Sequence, residues 1–546
     1  MLRLFSLLVF CLMSWHVAAD DHLATAGNEQ QAETTLASLL KQLPNTKLNK
    51  MAPLIKKIAA TSAPQVPAIL ETLQAGELYY LKANKQLVHA QRTQHKKYDL
   101  TDLLSNAPLP SVTSSAIKKV RTNNRIRRQI GDLLSNMELN AKDPAIRLEA
   151  VKQLLDSPNK VGIKSVTLLH DNEPQSKIRE LMSVVLAVEQ LKAGTEAEKL
   201  AAVSILTGRL EPAVKNALVK ALDNSTALSD KSELTRALSH AIDKIEQQGD
   251  LYQIADHLFF GLSLGSVLLL SAIGLAITFG VMGVINMAHG EMMMLGAYTT
   301  YVIQQTFPTL IEYSLLMAIP AAFVVSGLVG IIIERGVIRF LKGRPLETLL
   351  ATFGISLILQ QLVRTIFSPL NRQVEAPQWM SGSLDINPIF SLTYNRLYII
   401  LFALMVFFSL LMILKKSSLG LHVRAVSQNR DMARALSIKS SWVDAITFGL
   451  GSGIAGIAGV ALSQLTNVGP NLGQAYIIDS FLVVVFGGVG NLWGTLVAAM
   501  TLGTFNKFLE PSMGPVLANI IVLVGLILFI QKRPKGLFPQ KGRAAE

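Results

Sequence analysis

Cysteine and charged side chains are both scarce in this chain of 546 residues. The one cysteine, Cys11, lies near the N-terminus, and a single thiol excludes a disulfide-stapled scaffold and a zinc ribbon. Charged residues form 16% of the chain, whereas soluble domains usually contain about 25%. Because hydrophobic residues form 50% of the chain, the composition excludes a single soluble enzyme.

The shortage of charge is confined to the C-terminal half. Residues 20–250 contain 31 Lys and Arg against 26 Asp and Glu, as an ordinary soluble domain does. Residues 251–546 contain only 19 basic and 12 acidic residues, grouped in short blocks between long apolar runs. The sequence therefore predicts three parts: a leader at 1–19, a globular domain at 20–250 and a transmembrane domain at 251–546.

Residues 1–19 have the pattern of a secretory signal peptide. Arg3 is followed by an apolar run at 4–13 and by small residues that end at Ala19. An uncleaved membrane anchor is the alternative, although the run is shorter than the roughly 20 residues that span a bilayer. Either form of leader exports the adjoining domain, so residues 20–250 are expected on the outer side of a membrane.

The exported domain is predicted to be helical. Leucines recur at spacings of three and four within residues 36–43, and no stretch shows the convincing alternation of a strand. Asp143, Glu173 and Glu211 each directly precede proline, a combination that suits the start of a helix. Their intervals of 30 and 38 residues are close to one helical hairpin. The pattern loosely resembles the HEAT-like repeats of α-solenoids.

Two functions stay open for the exported domain, a docking platform for a partner protein and a helical spacer. The basic run from Lys118 to Arg128 fits lipid headgroups, an acidic protein surface or a solvated helix face. Export argues against nucleic acid as a partner. The domain lacks the motifs of serine hydrolases and zinc proteases, so we predict no catalytic residue in it.

Nine apolar segments in the C-terminal half are long enough, or nearly long enough, to cross a bilayer. They lie at 258–284, 287–307, 313–333, 346–367, 396–414, 443–465, 476–491, 493–509 and 515–531. Of the 19 basic residues, 15 fall in blocks at 335–344, 415–439 and 532–543, which the positive-inside rule places in the cytoplasm. The segment order then agrees with an exported N-terminus and a cytoplasmic C-terminus. The predicted fold class is all-α and polytopic, with eight or nine membrane elements, some of them re-entrant.

The second apolar segment begins with three polar residues, Asn286, His289 and Glu291. These groups are costly in hydrocarbon and should face protein, a cavity or water. A straight helix cannot hold all three on one face, and a break at Gly290 would resolve the conflict. Asn286 and His289 either line a substrate path or bond between helices. Glu291 is a substrate-path candidate, a helix cap or part of a buried pair, and no third ligand supports a metal site.

A second glycine-rich stretch, Phe486–Gly494, has the same Phe-Gly-x-x-Gly start as residues 279–283. Transporters often pair two interrupted helices around a central site. Gly487, Gly490 and Asn491 are therefore further substrate-path candidates. Close packing of helices through small residues is the alternative explanation.

The loop between the fifth and sixth segments, Ser418–Ile438, is basic and has the hydrophobic period of a helix. A short amphipathic helix of this kind fits a groove on a partner protein, and it can transmit motion to the membrane helices. A plain positive-inside loop is the alternative.

Four separated motifs occur in a characteristic order. They are the run Asn286 to Glu291, the loop Leu419 to Ile438, the stretch Phe486 to Asn491 and the terminal Arg533 to Phe538. In these motifs the chain resembles the LivH-type permeases of branched-chain amino acid ABC importers over about residues 255–540. The resemblance implies that the helices around Asn286 line the translocation path.

The same resemblance implies that the loop is a coupling helix that docks on a cytoplasmic ATPase. Its candidate coupling residues are Gly420, Arg424, Ala425, Asn429, Ala433 and Ser437. Ser437 departs from the family, which usually has glycine before the isoleucine at this point. The helix end there is expected to differ in shape, without loss of docking.

A long exported domain ahead of the core is unlike a plain LivH protein and resembles the longer permeases of urea importers, the UrtB type. The predicted function is therefore an inner-membrane importer permease for urea or a related small amide. Branched-chain amino acids are the alternative substrate, and a passive urea channel is the alternative class of protein.

The partners are implied by the same resemblance. The chain contains no phosphate-binding loop of the Walker type, so ATP and magnesium are expected on partner ATPases, and no cofactor is expected on this chain. The expected assembly contains two cytoplasmic ATPase subunits, a second, LivM-like permease and a periplasmic substrate-binding protein. Membrane lipid surrounds it, and nucleic acid is not a partner.

Overall fold

The computed structural model describes residues 36–539, except 62, 93–96, 104–106 and 227–231. The predicted signal peptide and Cys11 lie outside the described residues. The chain divides into two compact units, the first ending at Ile245 and the second beginning at Glu246. The sequence predicts this boundary at residue 250.

The first unit contains a five-stranded antiparallel sheet in the order β4-β3-β2-β1-β5. Its strands are β1 Leu78–Leu81, β2 Leu87–Arg92, β3 Lys97–Asp102, β4 Pro108–Thr113 and β5 Ile117–Lys119. The expectation that this region is helical throughout is therefore wrong. The strands are short, and the buried core of the sheet, among the residues that the structure describes, consists of Val88, Ala90, Leu100 and Ile117. Because one residue of β3 and none of β4 is buried, the sequence shows no clear alternation there.

Helices form the rest of the first unit. Residues 36–40 are helical, and the named α-helices are α1 Leu48–Ala59, α2 Val66–Ala75, α3 Asn124–Leu139, α4 Pro144–Asp156, α5 Lys160–Leu169, α6 Ser176–Ala193, α7 Glu196–Leu206 and α8 Pro212–Thr226. Two of the three predicted helix starts are confirmed, because Asp143 caps α4 with a 2.8 Å bond to a backbone N–H and α8 begins at Pro212. The third is wrong. The carboxylate of Glu173 is held by Arg147 at 2.8 Å, and α6 begins at Ser176.

The second unit is a helical membrane domain. Its helices are α9 Glu233–Met282, which starts in the first unit, α10 His289–Thr306, α11 Ser314–Gly336, α12 Pro345–Phe367, α13 Tyr394–Lys416, α14 Ser418–Gln428, α15 Arg430–Ala435, α16 Ser440–Ser463, α17 Leu472–Gly487, α18 Leu492–Met513 and α19 Pro515–Lys532. Each of the nine predicted segments overlaps one of them. Among the described residues, six helices are long and apolar enough to cross a membrane. The predicted polytopic helical class is confirmed, and the hairpin β6 Ser383–Asn387 and β7 Phe390–Thr393 joins α12 to α13.

Small residues let α10 and α16 approach closely. A Cβ on Gly459 would overlap the carbonyl oxygen of Met293 and would lie 2.8 Å from the backbone nitrogen of Ala297. A Cβ on Gly296 would overlap the carbonyl of Gly456. The two backbones therefore touch, as suits membrane helices, which have no hydrophobic driving force between them and associate by van der Waals packing.

The predicted helix break occurs earlier than Gly290. α9 ends at Met282, residues 283–288 are not helical, and α10 begins at His289. Gly283 has a φ of 65°, which glycine adopts without a Cβ clash and which turns the chain out of α9. Gly290 lies in the first turn of α10, where its hydrogen faces the carbonyl group of Gly473. The expectation of a break at Gly290 is therefore wrong by several residues.

The loops of the second unit fall into two groups at opposite ends of the helices. Near the C-terminus of α9, Gly280 contacts Gly490, and Val281 packs beside Leu414 and Leu419. The described residues of all three basic blocks adjoin this end, which we call the basic end. The opposite end joins the remaining loops through bonds such as Arg372 to Val468, Gln304 to Glu375 and Gln378 to Glu312.

Candidate substrate path and partner-docking loop

Asn286 closes the non-helical segment before α10. Its side-chain oxygen accepts the Ala288 N–H at 3.0 Å, and its carbonyl oxygen accepts the His289 N–H at 3.3 Å. The side chain is buried. In this structure Asn286 forms an Asx turn that shapes the entry to α10.

His289 joins α10 to α9. Its Nε2 donates to the carbonyl oxygen of Ser271 at 2.9 Å, and the hydroxyl of Ser271 accepts from Ser480 at 2.7 Å. The ring is fully buried, and Nδ1 has no partner among the described residues. Two roles are predicted for His289, lining a substrate path and hydrogen bonding between helices. The contact of Nε2 is of the second kind.

Glu291 lies in the first turn of α10 and faces α12. Its Oε1 accepts hydrogen bonds from the Ser356 hydroxyl at 2.9 Å and from the Gln360 amide at 2.8 Å. Its Oε2 is buried and has no partner within the described parts of the chain. Glu291 is almost fully buried, with 1% of its surface exposed. Glu291 is therefore half satisfied by α12, which sequence reasoning did not identify as its partner.

A row of polar side chains that includes the two partners of Glu291 runs along α12. Every fourth residue carries a hydrogen-bonding side chain: Thr348, Thr352, Ser356, Gln360 and Arg364. Thr352 holds the N–H of Met287 at 3.1 Å, and Arg364 donates to Asn471 at 2.7 Å. Members of this row that are four residues apart are neighbours on the helix surface, and the row winds around α12 by about 40° at each step. The spacing is visible in the sequence and is enough to identify this polar stripe.

The second group of predicted path residues packs against the C-terminal segment. Asn491 caps α18 by accepting two backbone N–H groups at 3.1 and 3.2 Å, and its amide donates to the carbonyl of Phe538 at 3.3 Å. The N–H of Phe538 returns a bond to the carbonyl of Gly487 at 3.2 Å. Gly490 touches Gly280, as the resemblance of the two glycine-rich stretches led us to expect for paired helices. Two of the four family motifs therefore form one structural contact.

The loop after α13 folds into the two short helices α14 and α15. Gly420 lies against the carbonyl of Leu414, where a Cβ would overlap, and Arg424 donates to that same carbonyl. Asn429 caps α15 through a 3.0 Å bond to the N–H of Met432. Ala433 is buried, and Ala425 packs beside it in the same apolar cluster. The predicted helical character of this loop is confirmed.

Ser437 ends α15 in a left-handed conformation with a φ of 65°. The N–H of Ile438 bonds the carbonyl of Ala433 at 3.0 Å, and the N–H of Ser437 bonds that of Arg434 at 3.0 Å. These two bonds define a Schellman motif, in which the left-handed position is usually glycine. The helix end therefore has the geometry that glycine would give, so the expected difference in shape is wrong, and Ser437 adopts a backbone conformation that is strained for a residue with a Cβ.

A buried carboxylate ties this loop to the membrane helices. Asp444, in the first turns of α16, accepts two bonds from Arg430 at 2.6 and 3.0 Å and a further bond from Lys342. Arg430 belongs to α15, whereas Lys342 lies between α11 and α12. Sequence reasoning missed Asp444, although a lone acid in an apolar helix beside two basic blocks was the available signal.

Apolar side chains of the loop remain exposed. Leu421, Met432 and Leu436 are 59%, 59% and 70% exposed at the basic end. No group of three or more His, Cys, Asp or Glu side chains that could hold a metal occurs in the portion of the chain that the structure describes. The site combines a buried polar stripe with a docking loop, and within that portion it presents no catalytic arrangement.

Comparison with known proteins identifies a family of membrane transport permeases. The family described as "Branched-chain amino acid transport system / permease component" matches residues 257–530. The chain is 28% identical over 299 residues to the high-affinity branched-chain amino acid transport system permease BraD of Pseudomonas aeruginosa, covering 53% of this chain and 96% of BraD. It is 29% identical over 298 residues to LivH of Escherichia coli K12, covering 51% and 94%.

A more distant relative is the ribose import permease RbsC of Escherichia coli K12, 26% identical over 227 residues, which cover 37% of this chain and 63% of RbsC. No solved structure matches the chain. The matches to BraD, LivH and the family cover about half of the chain.

The broken helix, the buried polar stripe and the bundle of apolar helices define a multi-pass membrane transport subunit, not an enzyme. The chain belongs to the family of branched-chain amino acid transport system permease components.

Proposed function

We propose that this chain is the membrane permease of an ABC importer in a bacterial inner membrane, powered by separate ATPase subunits. The exposed apolar residues of α14 and α15 carry the proposal. Where several apolar side chains are exposed to water close together, they mark a protein-binding surface, and Arg424 and Arg434 on the same two short helices suit an acidic partner. Apolar side chains that are equally exposed on the membrane-spanning helices need no protein partner, because lipid surrounds them.

The distribution of positive charge supports the proposed orientation of the chain in the membrane. The three basic blocks share the basic end, and cytoplasmic loops carry the excess of Lys and Arg. The basic end therefore faces the cytoplasm together with the C-terminus, and residues 20–250 lie in the periplasm, where they fit a docking platform or a spacer. The other partners are a substrate-binding protein and a second, LivM-like permease.

The substrate proposal changes from the one that the sequence suggested. The relatives BraD and LivH are named as branched-chain amino acid permeases, which favours these amino acids over urea. The long domain ahead of the membrane domain still favours urea or a small amide, because it resembles the longer permeases of urea importers. The path candidates Asn286, His289, Gly290 and Glu291 lie at the break between α9 and α10, and α12 lines it.

Co-purification with the ATPase subunits tests the docking loop. We expect Leu421→Asp and Leu436→Asp to remove most of the ATPase from the purified permease, because each places a charge in an apolar contact. Asp431→Asn is the matched control, since its side chain is 93% exposed on the same loop. Full retention of the ATPase by both aspartate variants would contradict the proposal.

A further inference from the structure

A polar cavity of about 230 Å³ lies at the basic end of the membrane domain, between the end of α11 and the helices α15 and α16. Three basic side chains, those of Arg339, Lys342 and Arg434, line it together with the carboxylates of Glu334 and Asp444. None of these residues is a substrate-path candidate. The cavity therefore needs an explanation of its own.

Positive charge exceeds negative charge around this cavity. Asp444 is already neutralised by the two basic side chains that bond to it. Arg339 belongs to no ion pair within the described residues, and the ion pair of Arg434 with Asp431 is exposed and 3.7 Å long. Such an exposed pair contributes little in water. Two basic groups therefore remain available to an anionic ligand.

The start of α16 adds to this positive field. Ser440 and Ser441, its first two residues, line the cavity, and no side chain caps this end of the helix among the described residues. The first N–H groups of a helix have no partner within the helix, and together with the helix dipole they favour an anion. The basic side chains and the helix end together indicate a site for an anionic group such as a phosphate.

Glu334 indicates that the ligand also carries a hydrogen-bond donor. This residue lines the same cavity and is 2% exposed, and its Oε2 has no hydrogen-bond partner in the described ranges of the chain. The Nε of Arg335 lies 3.7 Å from Oε2, which is too far for a hydrogen bond. A buried carboxylate oxygen without a hydrogen bond is destabilising. An ammonium group supplies both the bond and the opposite charge.

We propose that this cavity binds a phosphate ester that carries an ammonium group. Its phosphate lies against Arg339, Arg434 and the start of α16, and its ammonium group donates to Glu334. An ethanolamine phospholipid has both groups in its headgroup, and free phosphoethanolamine has the same chemistry. The inference goes beyond the proposed import function and does not depend on the transported solute.

Exposed apolar side chains beside the cavity favour the lipid as the source. Phe340 and Trp442 directly follow the lining residues Arg339 and Ser441, and they are 73% and 58% exposed. Tryptophan is enriched at the membrane–water interface, and basic pockets between membrane helices bind lipid headgroups. A phospholipid held here places its headgroup in the cavity and its chains along the apolar surface.

Lipid binding to the purified full-length permease, measured by native mass spectrometry, tests the proposal. Dioleoyl phosphatidylethanolamine is compared with dioleoyl phosphatidylcholine, which has the same phosphate but no N–H group. We expect the ethanolamine lipid to bind about tenfold more tightly, because only its ammonium group can donate a hydrogen bond to Glu334. Equal binding of the two lipids by the wild type would overturn the proposal.

Two variants test the two ends of the ligand. Arg339→Gln should weaken the binding of both lipids about tenfold, because a charged contact with the phosphate is lost. Arg344→Gln is the matched control, since it removes a positive charge at the same end from a side chain that is 67% exposed and pairs with Glu347. Glu334→Gln should remove most of the preference for ethanolamine.

If Glu334→Gln does not reach the membrane, Arg339→Gln decides, and equal binding by Arg339→Gln and Arg344→Gln overturns the proposal. Soluble phosphoethanolamine separates the two sources of the ligand. Binding of the soluble ester as tight as that of the lipid assigns the cavity to a free phosphate ester, and binding of the lipid alone assigns it to a membrane phospholipid. If neither binds, the proposal is wrong, whereas the proposed import function is untouched.

Discussion

A single residue at the end of α15 influences local stability. Ser437 holds a left-handed conformation, which costs an L-residue about 1–2 kcal/mol. We expect Ser437→Gly to stabilise the protein by about 0.5–1 kcal/mol after glycine's own entropic cost. Ser437→Val should destabilise it, because a branched Cβ fits this conformation poorly. Thermal unfolding of the purified permease measures both, and an unchanged melting temperature in both variants would refute the strain.

In the first unit, Arg147 and Glu173 form a nearly buried ion pair. The hydrogen bonds from Arg147 lower the pKa of Glu173 below its ordinary value. The pair therefore stabilises the folded state above the unfolded pKa of about 4.3, and this stabilisation is lost as the pH falls through the lower folded pKa.

Two variants test this ion pair, one by removing the positive partner and the other by removing the negative charge. Arg147→Met leaves a buried carboxylate unpaired and should cost about 3–5 kcal/mol near neutral pH. Glu173→Gln should unfold with a weaker pH dependence than the wild type between about pH 5 and about pH 3. Thermal unfolding of the full-length protein in detergent gives both values, and parallel pH curves for Glu173→Gln and the wild type would count against the pair.

At the scale of elements, close contact between α10 and α16 depends on small residues. Gly459→Ala places a methyl group against the backbone of α10, and such overpacking costs about 1–3 kcal/mol. Gly354→Ala on α12 is the control, because a Cβ there has no neighbour within 4 Å. Melting temperatures of the two variants should differ clearly, and equal values would show that the helices can separate without cost.

Asp444 links the docking loop to α16 directly and to α12 through Lys342. We expect Asp444→Asn to leave Arg430 and Lys342 without their common carboxylate, so that movement of the loop reaches the helices less effectively. Uptake should fall about tenfold while ATP hydrolysis by the co-purified ATPase continues. Asp431→Asn on the same loop should change neither quantity. Equal loss of hydrolysis and uptake in Asp444→Asn would indicate disrupted docking instead.

Sequence patterns predicted the elements whose signals are local. Each apolar segment overlaps a helix, and the small residues of the loop after α13 pack as a helix pair would require. The sheet of the first unit was missed because its strands bury few residues. The break was misplaced because Gly290 looked like the hinge, whereas Gly283 makes the turn and Gly290 packs against Gly473.

The candidate site could be predicted only in part, because its partners are distant along the chain. The sequence marked Glu291 as costly to bury but could not show that Ser356 and Gln360 bind one of its two oxygens. Lys342, Arg430 and Asp444 likewise come from three elements that only the fold brings together. Such pairings depend on helix packing, which hydropathy and spacing within one segment do not encode.

At the scale of the whole molecule, a family core is joined to an additional unit that the family match does not include. The match begins at residue 257, after the first unit has ended. We expect deletion of residues 24–245, with the leader kept, to leave the membrane domain inserted, because that domain has its own buried core. Uptake by the deletion variant shows whether the first unit is a spacer or a docking platform.

The central claim is that this chain imports a small solute, a branched-chain amino acid or urea, only when a partner ATPase drives it. The most direct test is uptake of labelled leucine and labelled urea by cells that carry the intact operon, with and without an inactivating substitution in the ATPase. The proposed function predicts concentrative uptake of one solute that disappears when the ATPase is inactive. Uptake that persists without ATP hydrolysis would contradict it and would identify a passive channel.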